Sequence, residues 1–284
     1  MVKELIITAD DYGMSTSVNT AIEECIAAGT VLSTSVMTNM PDCERASQLR
    51  QRFPGVSVGI HWTLTQGRPV LEQAIIPSLI NDHGRFISTC SSDFRKRFLI
   101  GKISKEEIRK ELTAQYCRFR ELAGAPDYWN THENLHIFWP TLFQLITKVG
   151  KELGIGRMRN NVRVTVPYRG TAKQYNLNHL IHYLKGQLIS RLSNWARREG
   201  IAMPAGLIYL PDFPGGQTDI EDAIQRISWP KIPAPLELII HPATQIETGL
   251  FGNLTECRIE EYHYFAQPDV ADRLQRLEVR LVGI

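Results

Sequence analysis

The chain of 284 residues lacks most of the features that would assign it to a specialised class. It has no strong excess of either charge: a formal net charge of +2 and a pI near 8.3 fall short of the basic balance typical of a nucleic-acid-binding domain, so no nucleic-acid partner is expected. No apolar run approaches the roughly 20 residues needed to cross a bilayer. Met1-Val2-Lys3-Glu4 leads directly into a strand with no signal-peptide pattern, and a cytoplasmic protein is expected. Cysteine is sparse, odd in number and scattered. Cys25, Cys43, Cys90, Cys117 and Cys257 show neither a disulfide framework nor zinc-type spacing, and read as reduced packing residues. Internal repeats and low-complexity linkers are also missing. One enzyme-sized α/β domain remains, of a length that suits a barrel.

Strand and helix patterns alternate. Leu5 to Ala9 reads as a buried strand, and Ser15 caps a helix whose apolar positions Val18, Ala21, Ile22, Cys25 and Ile26 end at Gly29. Val31 to Met37 reads as a second strand, Cys43 to Arg52 as a helix and Val56 to His61 as a third strand. Such βαβαβ order argues for parallel strands with helices packed outside them. Residues 66–103 read as a long functional loop with local helix, and Ser104 caps a helix running to about Ala123. Asp127 to Thr131 is expected as a strand, Pro140 to Leu153 as a helix, and Arg157 to Asn160 as a short strand. Between Asn176 and Glu199 an apolar stripe is flanked by Lys185, Arg191, Arg197 and Arg198. It suits a lid, a dimer face or a membrane-surface helix, or a helix packed on its own core with a solvated basic side. Leu236 to Ile240 and Leu277 to Val282 complete the expected strands.

Polar residues gather at the ends of these strands. Asp10 and Asp11 follow the first, His61 ends the third, and His132 and His241 each end a later one. Two adjacent carboxylates leaving a buried strand require an offset to their repulsion, from a cation or a proton, unless one caps a helix and the other is solvated. In β/α barrels the C-terminal strand ends carry the active site, so the shared placement is the stronger signal. His132 and His136 have the i, i+4 spacing of a metal pair on a helix, although the nearby strand and Pro140 argue against a full helical turn. Imidazole and carboxylate ligands do not by themselves select a metal.

Four segments together resemble the YdjC-like carbohydrate deacetylases, which include chitooligosaccharide deacetylases. They are Ala9-Asp10-Asp11-Tyr12-Gly13-Met14-Ser15, Gly59-Ile60-His61-Trp62-Thr63-Leu64-Thr65-Gln66-Gly67-Arg68-Pro69, the His132 to His136 segment, and His241-Pro242-Ala243. The resemblance implies a single-domain, distorted β/α (TIM-like) barrel holding one divalent metal ion, magnesium or zinc, through Asp11, His61 and His132. It further implies hydrolysis of an N-acetyl group on an amino sugar, with Asp10 as general base and His241 as the acid that protonates the amine. Where the family usually reads Asp-Ser-His-x-His-Val-His, this chain has Asn130 and Asn134 in place of the acidic residue and the middle histidine. These changes bear on how the metal ligands are oriented, on metal preference and on substrate choice.

Tyr12, Trp62, His136, Arg159 and Phe213 are the expected substrate contacts. Trp62, Trp129 and Trp139 offer a stacking wall, against ordinary packing, and Arg157 and Arg159 offer an anion site, against simple exposure. A lid or insertion is expected within 165–215. The expected partner is an N-acetylated sugar, with a lipid-linked or nucleotide-linked sugar as variants. A homodimer is also expected, and a membrane surface is carried as a lesser alternative. The competing readings are a sugar-binding barrel that has lost catalysis and a phosphoesterase, many of which need a second metal cluster that the sequence does not display.

Overall fold

The apolar N-terminal run forms β1 (Lys3–Tyr12), buried from Leu5 onward as expected of a strand covered on both faces. The structure, a computed structural model, describes residues 3–165, 177–209, 220–227, 229, 235–251 and 255–284. After β1 come α1 (Thr16–Ala27), β2 (Ser33–Val36), α2 (Leu49–Arg52), β3 (Ser57–Trp62), α3 (Ser91–Leu99), α4 (Lys105–Ala123), β4 (Trp129–Thr131) and α5 (Pro140–Glu152). The remainder comprises β5 (Arg163–Thr165), α6 (Leu177–Arg198), β6 (Gly206–Tyr209), α7 (Ile220–Arg226), β7 (Leu236–Ile240), α8 (Glu256–Phe265), α9 (Val270–Arg276) and β8 (Val279–Leu281). Both expected N-caps form: the hydroxyl of Ser15 accepts from the Val18 amide, and that of Ser104 from the Glu107 amide.

The strand pairs among the described residues are parallel, in the order β4-β3-β2-β1-β7-β6-β5, and β8 lies against the start of β1. This is a curled half-barrel of seven strands with helices outside, a single α/β domain of the distorted barrel type. Arg157 to Asn160 differs from its expected strand. It is reduced to two isolated parallel bridges, Met158 with Trp129 and Arg157 with Ala202, with backbone hydrogen bonds on both sides. The expected helix from Cys43 to Arg52 is a 3-10 segment, Cys43–Gln48, running into the single turn of α2.

The long loop after β3 is tied down from below by α4. The buried carboxylate of Glu111 accepts from the amides of Val70 and Leu71, while the side-chain amide of Gln115 donates to the carbonyl of Thr63. The amphipathic stripe of α6 packs inward at Ile189, Leu192 and Ala196, whereas residues 183–187 are exposed. Of the expected lid or insertion within 165–215, residues 177–209 are described and carry α6 and β6, whereas residues 166–176 and 210–215 lie outside the described residues.

Within the barrel wall, Gly59 leaves room for the Tyr128 ring: a methyl on Gly59 would lie 2.5 Å from that ring. The phenol of Tyr128 is in turn bonded to Ser33 on β2, so the ring cannot retreat freely. Gly59→Ala should therefore cost about 1–3 kcal/mol through overpacking, read as a lower urea midpoint with unchanged m-value.

Candidate metal centre

Alternation along a strand would send Asp10 and Asp11 to opposite faces of the sheet. β1 avoids this by an irregularity between Ala9 and Tyr12, where Asp11 adopts φ 70. The left-handed residue turns both carboxylates toward one cleft of about 600 Å³ at the C-terminal rim. His61, at the end of β3, His132, immediately after β4, and His241, immediately after β7, line the same cleft.

Each carboxylate is matched by its own buried guanidinium. Arg159 clamps Asp10 with two bonds of 2.6 and 2.9 Å and reaches Glu237 at 2.9 Å. Arg258, on α8, donates to Asp11 Oδ2 at 2.6 Å and lies over the Phe251 ring. Burial alone would raise both aspartates, but for Asp10 the Arg159 guanidinium outweighs it and holds the carboxyl well below its usual range. For Asp11, Arg258 does the same. Both are anions at neutral pH.

Asn130 fixes the tautomer of His61. A carboxylate can only accept, so the Asn130 amide group turns its NH2 to Asp10 Oδ1 at 3.0 Å and its oxygen to His61 Nδ1 at 2.6 Å. That oxygen only accepts, so Nδ1 carries the proton. The hydroxyl of Ser35, on β2, lies between the same two groups, 2.7 Å from Asp10 and 3.1 Å from His61. His61 Nε2 therefore presents a lone pair to Asp11 Oδ1 at 3.2 Å and to His132 Nδ1 at 3.3 Å, and the third edge, His132 Nδ1 to Asp11 Oδ1, is 3.1 Å. Three electron-pair donors this close need a positive charge among them, a proton or a metal ion. Their spacing suits three ligands bound to one ion at about 2.0–2.2 Å. Asp11, His61 and His132 form the one Asp/His/Cys/Glu group among the described residues whose ligand atoms converge in this way.

His241 faces the cleft with its imidazole. Burial, countered in part by Asp11, pushes that ring down to about 4, so it is neutral at neutral pH in the arrangement described. Its backbone amide donates to Glu261 on α8 at 2.5 Å.

Four expected substrate contacts are placed elsewhere. Tyr12 is fully enclosed and its phenol donates to Glu23, away from the cleft. Trp62 is buried, with its indole donating to the Leu112 carbonyl. His136 does not share a helix face with His132, because Glu133 and Asn134 both take positive φ and reverse the chain. Its ring is turned into the core against Trp129 and Phe143, with Nδ1 on the Thr131 hydroxyl, and burial drives it down to about 3. Arg159 serves Asp10 and Glu237 rather than an outside anion. Phe213 lies outside the described residues.

Sequence reasoning missed Ser35, Glu237, Arg258 and Glu261. A glutamate inside the apolar run Leu236-Glu237-Leu238-Ile239-Ile240 and a hydroxyl triplet Ser33-Thr34-Ser35 in a buried strand were signals of a polar centre within the barrel. Arg258 and Glu261 gave no such signal.

Glu261 generates a pH-dependent prediction. Burial raises its folded-state pKa to about 8, against an ordinary glutamate value of 4.5. The unfolded chain thus releases this proton first as pH rises, and the group's contribution falls between those two values. Glu261→Gln keeps an acceptor for the His241 amide without the ionisation. In the metal-free protein, the variant should match the wild type in thermal midpoint near pH 4 and exceed it increasingly toward pH 8.

The model of the "YdjC-like protein" family matches residues 4–276. A carbohydrate deacetylase of Geobacillus stearothermophilus is 28% identical over 99% of this chain and 97% of its own length. A chitooligosaccharide deacetylase of Serratia marcescens is 33% identical over 55% of this chain, and the aligned stretch spans only 58% of that relative. Among solved structures, a protein of Enterococcus faecalis V583 superposes with a TM-score of 0.73, at 22% identity, over 100% of this chain and 98% of that one, which supports the fold. With a family model covering nearly its whole length, this chain belongs to the YdjC-like family.

Proposed function

We propose that the protein is a metal-dependent hydrolase that removes the N-acetyl group of an amino sugar and releases acetate. One observation carries the reading: the Asp11, His61 and His132 donors converge within 3.3 Å of one another, in the same cleft as Asp10 and His241. Membership of the YdjC-like family and the deacetylase names of its relatives support it. Two imidazoles against one carboxylate suit zinc better than magnesium, which prefers oxygen ligands. A divalent ion held there would polarise the amide carbonyl and acidify the attacking water.

The chain's own residues account for the proton movements. Asp10 accepts the proton that the attacking water gives up, and its carboxylate is kept in place by Arg159, Ser35 and Asn130. The bidentate clamp fixes its orientation but also lowers its basicity, so Asp10 acts through position more than through proton affinity. The amide C–N bond then breaks, and the leaving nitrogen takes a proton from His241. Because the resting imidazole is neutral, His241 takes that proton from solvent in the cleft during turnover, and the proton held by Asp10 returns to solvent as acetate leaves, so none is gained or lost over the cycle. Asn130, neutral where relatives usually carry an acid, orients His61 without adding a third anion beside Asp10 and Asp11.

Acetate release from a panel of N-acetylated sugars tests the reading, using metal-free protein resupplied with zinc, cobalt, manganese or magnesium. Turnover should return with at least one ion, zinc or cobalt foremost. Tight sugar binding without turnover under any metal would instead identify a sugar-binding barrel. His61→Ala and His132→Ala should each weaken zinc binding by about 100-fold or more in calorimetry. Asp10→Asn should retain zinc and lose about 100-fold or more in kcat; full activity in that variant would remove Asp10 as the base.

A further inference from the structure

We propose that the face made by α3, Phe138 and the exposed residues 183–187 of α6 docks on the surface of an anionic phospholipid bilayer. Six large apolar side chains are markedly exposed among the described residues: Ile75, Leu99, Ile100, Tyr183, Leu184 and Ile246. Four of them belong to α3 and its C-cap or to α6. Exposure reaches 55% at Leu99, 63% at Ile100, 63% at Tyr183 and 57% at Leu184.

The two helices meet at one ring. Arg95 of α3 and Lys185 of α6 each hold a cation 5.3 Å from the centroid of Phe138. Leu99 is one helical turn beyond Arg95 on the same face of α3, and Leu184 directly precedes Lys185. The exposed apolar groups therefore flank a common centre rather than lying scattered.

Charge on the two helices is mostly basic, with Asp93 and the exposed Glu133, beside Arg95, as the acids at this face. Residues 91–102 contain Arg95, Lys96, Arg97 and Lys102 against a single acid, Asp93, which pairs with Arg97 at 2.8 Å. Residues 176–198 contain Lys185, Arg191, Arg197 and Arg198 and no acid. Two short stretches thus hold eight of the chain's 32 lysines and arginines and one of its 30 acids, in a protein whose net charge is only +2.

A bilayer carrying anionic headgroups complements both parts of this face, taking up the apolar side chains at the headgroup boundary and pairing with the cations. A second copy fits poorly, since an isologous contact would set the two basic clusters against each other. A soluble polyanion would leave the four apolar groups without partners. No described helix is long and apolar enough to cross a membrane, so the attachment is to its surface. The docking face adjoins the cleft: Glu133, which lines it, accepts a hydrogen bond from the Ser91 amide at the start of α3. Docking is independent of the reaction assigned to the cleft.

Sedimentation of the full chain with vesicles tests the proposal, comparing phosphatidylcholine alone with phosphatidylcholine mixed with phosphatidylglycerol. The protein should bind the mixed vesicles at low salt, lose them as salt rises, and ignore the neutral ones. Replacing Leu99, Ile100, Tyr183 and Leu184 together by serine should weaken binding by about tenfold or more while leaving the circular dichroism and thermal midpoint unchanged. Lys96→Glu combined with Lys185→Glu should weaken it as well. Absence of binding to the mixed vesicles at low salt overturns the proposal. So does salt-sensitive binding that the serine variant keeps in full, which marks a general polyanion contact. A dimer in light scattering that the serine variant converts to monomer also overturns it, because the face is then a contact between copies.

Discussion

Two adjacent carboxylates share one buried rim, and the rest of the centre is arranged around the repulsion between them. The left-handed turn at Asp11 brings them together, and nothing in β1 itself neutralises them. Relief comes from distant elements: Arg159 from the segment before β5 and Arg258 from α8. The Asp10–Arg159 pair offsets its desolvation because further hydrogen bonds complete it. Asp10 also receives Ser35 and Asn130, and Arg159 also reaches Glu237. Removing one partner from such a pair leaves an uncompensated charge in the barrel.

This arrangement separates the two aspartates chemically although they are neighbours in sequence. Asp10 is clamped on both oxygens by a planar guanidinium and is oriented rigidly. Asp11 gives one oxygen to Arg258 and directs the other toward His61 and His132. The free oxygen of Asp11 is thus aimed where the two imidazole lone pairs also point. Glu261 adds a different control, acting on the backbone of His241 rather than on its ring, so that the histidine's position follows α8.

Much of this was legible in the sequence where local chemistry is strong. Leu5 to Ala9 could only be a buried strand, Ser15 and Ser104 announced their helices, and the histidines at the ends of β3, β4 and β7 followed from the barrel pattern. Legibility failed where a side chain's direction is decided by tertiary contacts. Tyr12, next to the aspartates in sequence, is carried inward by the same irregularity that exposes Asp11 to the cleft. His136 has metal-pair spacing, yet two left-handed residues turn it into the core. β6, with only Gly206 to Tyr209, and α8, which buries Arg258 and Glu261 instead of an apolar stripe, carry no periodic signal. Arg159 was visible as a charge, but its partner lay 149 residues earlier in the chain.

The sheet order has a consequence for the growing chain. β4, β3, β2 and β1 are contiguous in the sheet and are complete by Thr131, so half the barrel has all its internal strand partners before the second half is made. Asp10, Asp11, His61 and His132 therefore leave the ribosome ahead of Arg159 and well ahead of Arg258. For that interval of synthesis, the carboxylate pair exists without either of its arginines, and a positive charge gathered from solution is the partner that the nascent half-barrel lacks.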